Sequence, residues 1–288
     1  MQCMNLTRPG LGRDRIDDAG HHRVAHVQQV VQAHVGDRAE LVMGEAGKSF
    51  FTTPEPGHAA ELEKAFNAIR RFSEDIDLSF DRAELGYAGE RDPEREGLGK
   101  NKAAKLIDDL VRDVGTHIAN QLLPALQSSF VKELGEPSAG EWSLVIDPND
   151  PQTLNFHYPA AFATGEYAGM SYITPRVKLE LGARGDPWPT EEKVIRPYAA
   201  EDFPAFFENA ETAVRVLSAR RTFWEKATAL HAEAHRPPEL PTPQYFSRHF
   251  YDLAMLLDTQ DGKAACRDFD LLAQVAKHKA TFFRSAWA

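Results

Sequence analysis

"RFSEDIDLSF", Arg71 to Phe80, sets two aspartates one residue apart inside an alternating run. In a strand, alternate side chains share a face, so Ser73, Asp75, Asp77 and Ser79 fall on one side and Glu74, Ile76, Leu78 and Phe80 on the other. In a helix, residues two apart lie about 200° from each other and the two acids diverge. The alternation predicts a strand. Two carboxylates held side by side repel, and the usual outcomes are a shared proton or a cation between them. A hard divalent ion such as Mg²⁺ suits the pair, because it prefers oxygen ligands and keeps positions open for phosphate oxygens. A solvated strand face is the plainer reading of Asp-x-Asp, and spacing alone leaves both open.

The same alternation returns in "PRVKLELGAR", where Arg176, Lys178 and Glu180 share one face and Val177, Leu179 and Leu181 the other. If the two strands are neighbours, Glu180 joins the aspartates as a third ligand, and Lys178 and Arg176 face the phosphates. Between these strands, "EWSLVID", the turn "PNDP" and "TLNFHYP" predict a hairpin.

Helical spacing surrounds the strand block. "ELEKAFNAIRRF" carries Leu62, Phe66 and Ile69 on one helical face. Ala103, Ile107, Leu110, Val111, Val114, Ile118 and Leu122 trace another, which Pro124 interrupts or kinks. "GYAGERDPEREGLGKN" between them predicts an exposed loop. The Pro-rich "GDPWPTEEKVIRPYAAEDF" is the expected domain boundary. Everything after Glu201 reads as helix: one amphipathic helix through Arg215, a second over "SARRTFWEKATALHAEAHR" stopped by Pro237 and Pro238, a third over "QYFSRHFYDLAMLLDT", and a last from about Phe269.

Two positions in these helices are ambiguous by spacing. Arg248 and Asp252 are four apart and form a surface ion pair in the simplest reading. Lys226 sits among Phe223, Trp224, Ala227 and Leu230, where a snorkelling lysine is the ordinary explanation. Ser218 reads as a helix N-cap.

Composition sets the outer limits. The 288 residues suffice for one large or two ordinary domains, and 42% hydrophobic with 26% charged residues is the make-up of a globular protein. A formal net charge of −10 excludes a global positive field for nucleic acid, so any such contact needs a local patch. Cys3 and Cys266 allow one bridge at most and show no metal-ligand spacing, which points to a reducing, cytoplasmic compartment. No apolar run approaches the roughly 20 residues that span a bilayer, and no signal-peptide segment follows Met1. The first 60 residues differ from the rest. They hold five of the eleven histidines in segments of poor periodicity, with no familiar metal-ligand spacing, and are expected to be irregular.

Taken in order, "KAFNAIRRFSEDIDLSF", "PRVKLELGAR", "RRTFWEKATALHAEAHRP" and "SRHFYDLAMLL" resemble the AbiEii/AbiGii toxin family of nucleotidyltransferases, from roughly Lys64 to the C-terminus. The resemblance implies an α+β fold of polymerase-β-like nucleotidyltransferase type. A small mixed β-sheet core over 61–185 carries the acids, a C-terminal helical domain spans 186–288, and 1–60 is an atypical N-terminal segment. It also implies a toxin of a bacterial toxin–antitoxin or phage-defence system that transfers a nucleotide from an NTP to RNA, with tRNA as the expected acceptor, using Mg²⁺. An antitoxin is then a partner, and no membrane is involved. By the same resemblance Asp75, Asp77 and Glu180 are the metal ligands. Asp75, Asp77, Lys226 and Asp252 are the catalytic set, with Lys226 on nucleotide phosphate and Arg248 placing Asp252 from one turn away. Ser73, Lys178 and Arg248 bind substrate.

One departure from the family pattern carries a second reading. Members carry Gly-Gly-Ser/Thr ahead of the aspartates, where backbone amides approach the nucleotide's phosphates. Here the aligned positions read His58, Ala59 and Ala60, and Gly57 falls one residue early. The alternative is therefore a non-catalytic pseudo-nucleotidyltransferase that retains antitoxin or RNA binding. Residues 1 to about 60 are then expected to derive from a shifted reading frame or a replaced 5′ region, and the helical domain to stop short of the family's usual extent. A metal-independent hydrolase built on the aspartate dyad is a third reading that no surrounding motif supports.

Overall fold

In a computed structural model, residues 65–70, 75–138, 141–159, 175–186, 188–196, 200, 204–206, 211–243 and 246–287 are described, the side chain of Asp75 excepted. The strand expected from "RFSEDIDLSF" is present as β1 (Asp75–Ser79). The hairpin is β2 (Ser143–Asp147) and β3 (Asp150–His157), and β4 (Arg176–Gly182) follows. The four form one sheet in the order β1-β4-β3-β2. β1 runs parallel to β4, and the other pairs are antiparallel, so the sheet is mixed as expected.

Alternation gives this sheet an apolar face. Leu78, Leu144, Leu154, Phe156, Leu179 and Leu181 are buried in a single cluster with Leu110, Val114, Ile118, Leu126 and Phe130. These last five come from α1 (Lys100–His117), the turn after it, and α2 (Leu123–Leu134). Each fully buried side chain of this size contributes about 1.5–3 kcal/mol, which is what holds the helices on the sheet. Phe130 stacks on Phe156 with centroids 4.7 Å apart. Pro124 does not end the helix. It falls in the first turn of α2, and the preceding turn, Ile118–Leu122, widens to a π-helix. Proline has no N–H to donate and its ring crowds the carbonyl four residues back, so a wider turn relieves both problems.

Two helical expectations fail. Residues 65–66 form a turn and 67–70 are irregular, where the spacing of Leu62, Phe66 and Ile69 predicted a helix. Asn67 has φ of 49°, in the left-handed region that breaks a helix. Phe66, Ala68 and Ile69 instead pack against Ala219, Phe223, Leu256 and Ala265. Tertiary burial thus takes the apolar residues that looked like a helical stripe. The second failure is the helix through Arg215. Thr212–Leu217 is a strand, β6, paired antiparallel with β5 (Thr190–Ile195) inside the supposed Pro-rich connection. Thr212, Val214 and Val216 recur every second residue, and β-branched side chains at that period favour a strand once a partner strand is in reach.

The remaining helices are α3 (Ala219–Ala234), α4 (Ser247–Leu257), α5 (Gln260–Ala265) and α6 (Phe269–Phe282). Three of them start on a side-chain cap, Ser218 among them as the sequence suggests. Ser218 Oγ accepts from the Arg221 N–H, Thr259 Oγ1 from Gly262 and Asp268 from Leu271. α3 packs against α4, α5 and α6. Phe282 at the end of α6 reaches the sheet core, so α6 packs on α3 and also joins the sheet cluster.

Candidate active site

The polar face of the sheet collects the acids. Asp77 lies in register with Glu180 on β4, and Glu180 with Thr153 on β3. One row along, Asp75 is opposite Lys178, and Lys178 opposite Asn155. Neighbouring strands lie about 4.8 Å apart, so Asp77 and Glu180 share one patch of the sheet. Asp77, Ser79, Thr153 and Asn155 are buried on this polar side.

Its hydrogen bonds separate two kinds of acid. Asn155 Nδ2 donates to Asp147 Oδ2 at 2.9 Å, and Thr153 Oγ1 donates to Asp150 Oδ2 at 2.7 Å. The Asn149 backbone N–H and the Asn155 amide hold the Asp147 carboxyl below its usual range, with Lys178 and Arg176 adding to the effect. These two aspartates terminate hairpin hydrogen bonds. Glu180, by contrast, is partly exposed and takes an ion pair from its strand neighbour Lys178. Lys178 thus lies on the acids' face, as alternation requires, but its ammonium is on Glu180.

Asp77 and Glu180 are oxygen donors of the class that a hard cation prefers. Among the described residues, no group of three His, Cys, Asp or Glu side chains is arranged for a metal. The third donor that the sequence suggests is Asp75, whose backbone heads β1 and whose side chain lies outside the described set. Ser73 also lies outside the described residues.

Lys226 and Asp252 come together although 26 residues separate them. Lys226 Nζ lies 2.9 Å from Asp252 Oδ2, and both side chains are wholly inaccessible. Lys226 therefore does not snorkel, and Asp252 is no part of a surface pair with Arg248. α4 buries His249, Asp252 and Leu256, three residues on one helical face, while Arg248 is exposed. Arg248 is thus one turn from Asp252, but the cation on the carboxylate is Lys226.

A further set of charges escaped sequence reasoning. Arg221, fully buried on α3, donates from its guanidinium to Asp186 Oδ2, the Trp188 carbonyl and Glu225 Oε1, each at 2.9 Å. Glu225 also pairs with Lys279 of α6. Burial pushes the Glu225 carboxyl up, but Lys279 and Arg221 outweigh it and hold the group at about 2. Asp186 follows β4 by four residues, so Arg221 joins the strand that carries Glu180 to the helix that carries Lys226. Nearby, Glu94 takes Arg82 and lies 3.3 Å from His278 Nδ1. The signal available in "RRTFWEK" was the i, i+4 pair Arg221–Glu225 alongside a second, Thr222–Lys226. Burial of both, about 100° apart around one helix, depends on neighbours that are far away in sequence.

Among the described residues, no helix is long and apolar enough to cross a membrane. The family model described as nucleotidyl transferase AbiEii toxin, type IV TA system, matches residues 59–286. No curated protein matches the chain.

Proposed function

The chain belongs to the AbiEii family of nucleotidyltransferase toxins of type IV toxin–antitoxin systems, and from that premise we propose that it transfers a nucleotide from an NTP to RNA, with tRNA as the acceptor and Mg²⁺ as the cofactor. The observation that carries this reading is the register of Asp77 with Glu180 across β1 and β4, inside the matched segment. In the reaction, a hydroxyl oxygen of the RNA bonds to the NTP α-phosphorus. The bond from that phosphorus to the bridging oxygen breaks, pyrophosphate leaves, and the hydroxyl proton passes to solvent or a nearby base.

Asp75, Asp77 and Glu180 would hold the cation, which when bound offsets the negative charge of the triphosphate. The protein's own part is positioning. The parallel pairing of β1 with β4 fixes Asp77 beside Glu180 without relying on a loop. Lys178 balances Glu180 and would contribute positive charge toward the phosphate oxygens on that face, joined by Ser73 and by Arg248 from α4. Asp252 orients the Lys226 ammonium, and the Arg221 cluster sets α3 against the strand carrying Glu180. A cognate antitoxin is the expected protein partner, and the setting is cytoplasmic.

Two observations favour a second reading, a pseudo-nucleotidyltransferase that keeps antitoxin or RNA binding. Lys226 and Asp252 are sealed against each other and away from solvent. His58, Ala59 and Ala60 also stand where the family pattern has Gly-Gly-Ser/Thr. One experiment separates the two: purified protein with Mg²⁺, each labelled NTP in turn and total tRNA, beside an Asp75→Ala/Asp77→Ala control. Label on RNA that the control abolishes supports the transferase. No label with any NTP, while RNA is still retained on the protein, establishes the second reading.

A further inference from the structure

The C-terminal end of α3 and its capping residue bring two histidines together. His231 and His235 are four residues apart, so both rings stand on one side of the helix. Their centroids lie 4.4 Å apart with the planes at 51°, and both residues are exposed. His235 Nδ1 lies 2.8 Å from the His231 carbonyl oxygen. A carbonyl oxygen only accepts, so in the neutral ring the proton is on Nδ1 and the lone pair on Nε2. Metal-binding histidines are oriented in this way, with one ring nitrogen donating to a backbone carbonyl and the other left to coordinate.

The surroundings suit a cation. The site is at the C-terminal end of a 16-residue helix, the end where the helix dipole places partial negative charge. The adjacent positive group, Arg236, is taken up by Glu233 at 2.7 and 2.8 Å, and its guanidinium lies 4.8 Å from the Trp287 ring centroid. Trp287 in turn donates its indole N–H to the Ala232 carbonyl at 2.9 Å, bracing the turn that carries both histidines.

We propose that His231 and His235 form a surface site for a borderline transition-metal dication of the Zn²⁺, Ni²⁺ or Cu²⁺ class, with two imidazole nitrogens as protein ligands and water completing the shell. Metal–nitrogen bonds of about 2.0–2.1 Å put two nitrogens on one ion about 3 Å apart, within reach of rings at this centroid spacing. Imidazole donors select this class over Mg²⁺, which takes oxygen. The site is therefore chemically distinct from the acid patch and does not depend on the nucleotidyltransferase reading. A bound ion clips one helical turn to the next and stabilises the native state by mass action.

The test is a ZnCl₂ titration, followed calorimetrically in chelator-free buffer near neutral pH, of the full chain and of the His231→Ala/His235→Ala variant. The other histidines are unchanged in the variant, so the comparison isolates this pair. The expected result is one fewer equivalent of Zn²⁺ in the variant, together with loss of a Zn²⁺-dependent rise in Tm. Copper EPR of the wild-type chain at substoichiometric Cu²⁺ should show coupling to two imidazole nitrogens, a readout that needs no folded variant. The same number of equivalents in both chains, or a wild-type copper spectrum without coupling to two imidazole nitrogens, overturns the proposal.

Discussion

Lys226 Nζ sits 2.9 Å from Asp252 Oδ2 with neither side chain reaching solvent, so one charge compensates the other inside the protein. Removing one partner takes away the counter-charge of a group buried from solvent, which costs about 3–5 kcal/mol. Asp252→Ala should therefore lower stability in urea by that amount. The paired replacement Lys226→Met/Asp252→Leu should recover most of it, because an apolar pair of similar volume carries no desolvation penalty. Equal losses in the single and paired variants would show that the ion pair is not what the site contributes.

Glu225 gives a pH dependence whose sign is fixed. Its folded pKa of about 2 lies below the ordinary value of 4.5. The stability it contributes is present above about pH 4.5 and is lost as pH falls toward 2. The shift corresponds to about 3 kcal/mol. Glu94 acts in the same direction: burial opposes ionisation, and His278 and Arg82 overcome it. Acid unfolding followed by circular dichroism should show stability falling through this window. In Glu225→Gln the fall should be shallower and should start from a lower plateau. An identical slope in wild type and variant would rule out the Lys279–Arg221 arrangement as its source.

Gly262, in α5, has no room for a side chain. A Cβ there would lie 1.9 Å from the Leu256 carbonyl oxygen and 2.6 Å from its carbon, both backbone atoms. Neither can swing aside without moving the end of α4, the helix that holds Asp252. Gly262→Ala should cost about 3 kcal/mol or more. A melting temperature within about 1 °C of wild type would mean that the α4–α5 junction is looser than its geometry.

The cap of α3 offers a smaller and cleaner effect. Ser218 Oγ accepts from the Arg221 N–H at 3.2 Å, and the Ser218 N–H donates to the Pro189 carbonyl at 2.9 Å. Only the first bond uses the side chain. Ser218→Ala should cost about 1 kcal/mol, while Ser218→Asp, which retains an acceptor, should cost less. Chemical denaturation of the three proteins in parallel checks the order.

Much of the fold was legible because it rests on patterns only a few residues long. Alternation in "DIDLS" and "RVKLELG", turn chemistry at Pro148 and Asn149, and the cap at Ser218 each act over short distances. The strand segments, their polar faces and the starts of α3 and α6 therefore followed from the residues themselves. So did the juxtaposition of Asp77 and Glu180, once the two strands were taken as neighbours.

What the tertiary structure alone decided is everything that depends on a distant partner. The apolar residues at 66–69 read as a helix stripe until Phe223 and Leu256 offered them a cluster to enter. "TAVRVL" became a strand because "TEEKVI" lay beside it. Lys226 had no acid three or four residues away on its own helix to explain its burial, and its counter-charge came from another helix. Local periodicity records which face of a segment is apolar, while the choice of what that face meets is made by contacts across the chain. A buried charge shows the difference most sharply, since its energy depends almost wholly on the group placed opposite it.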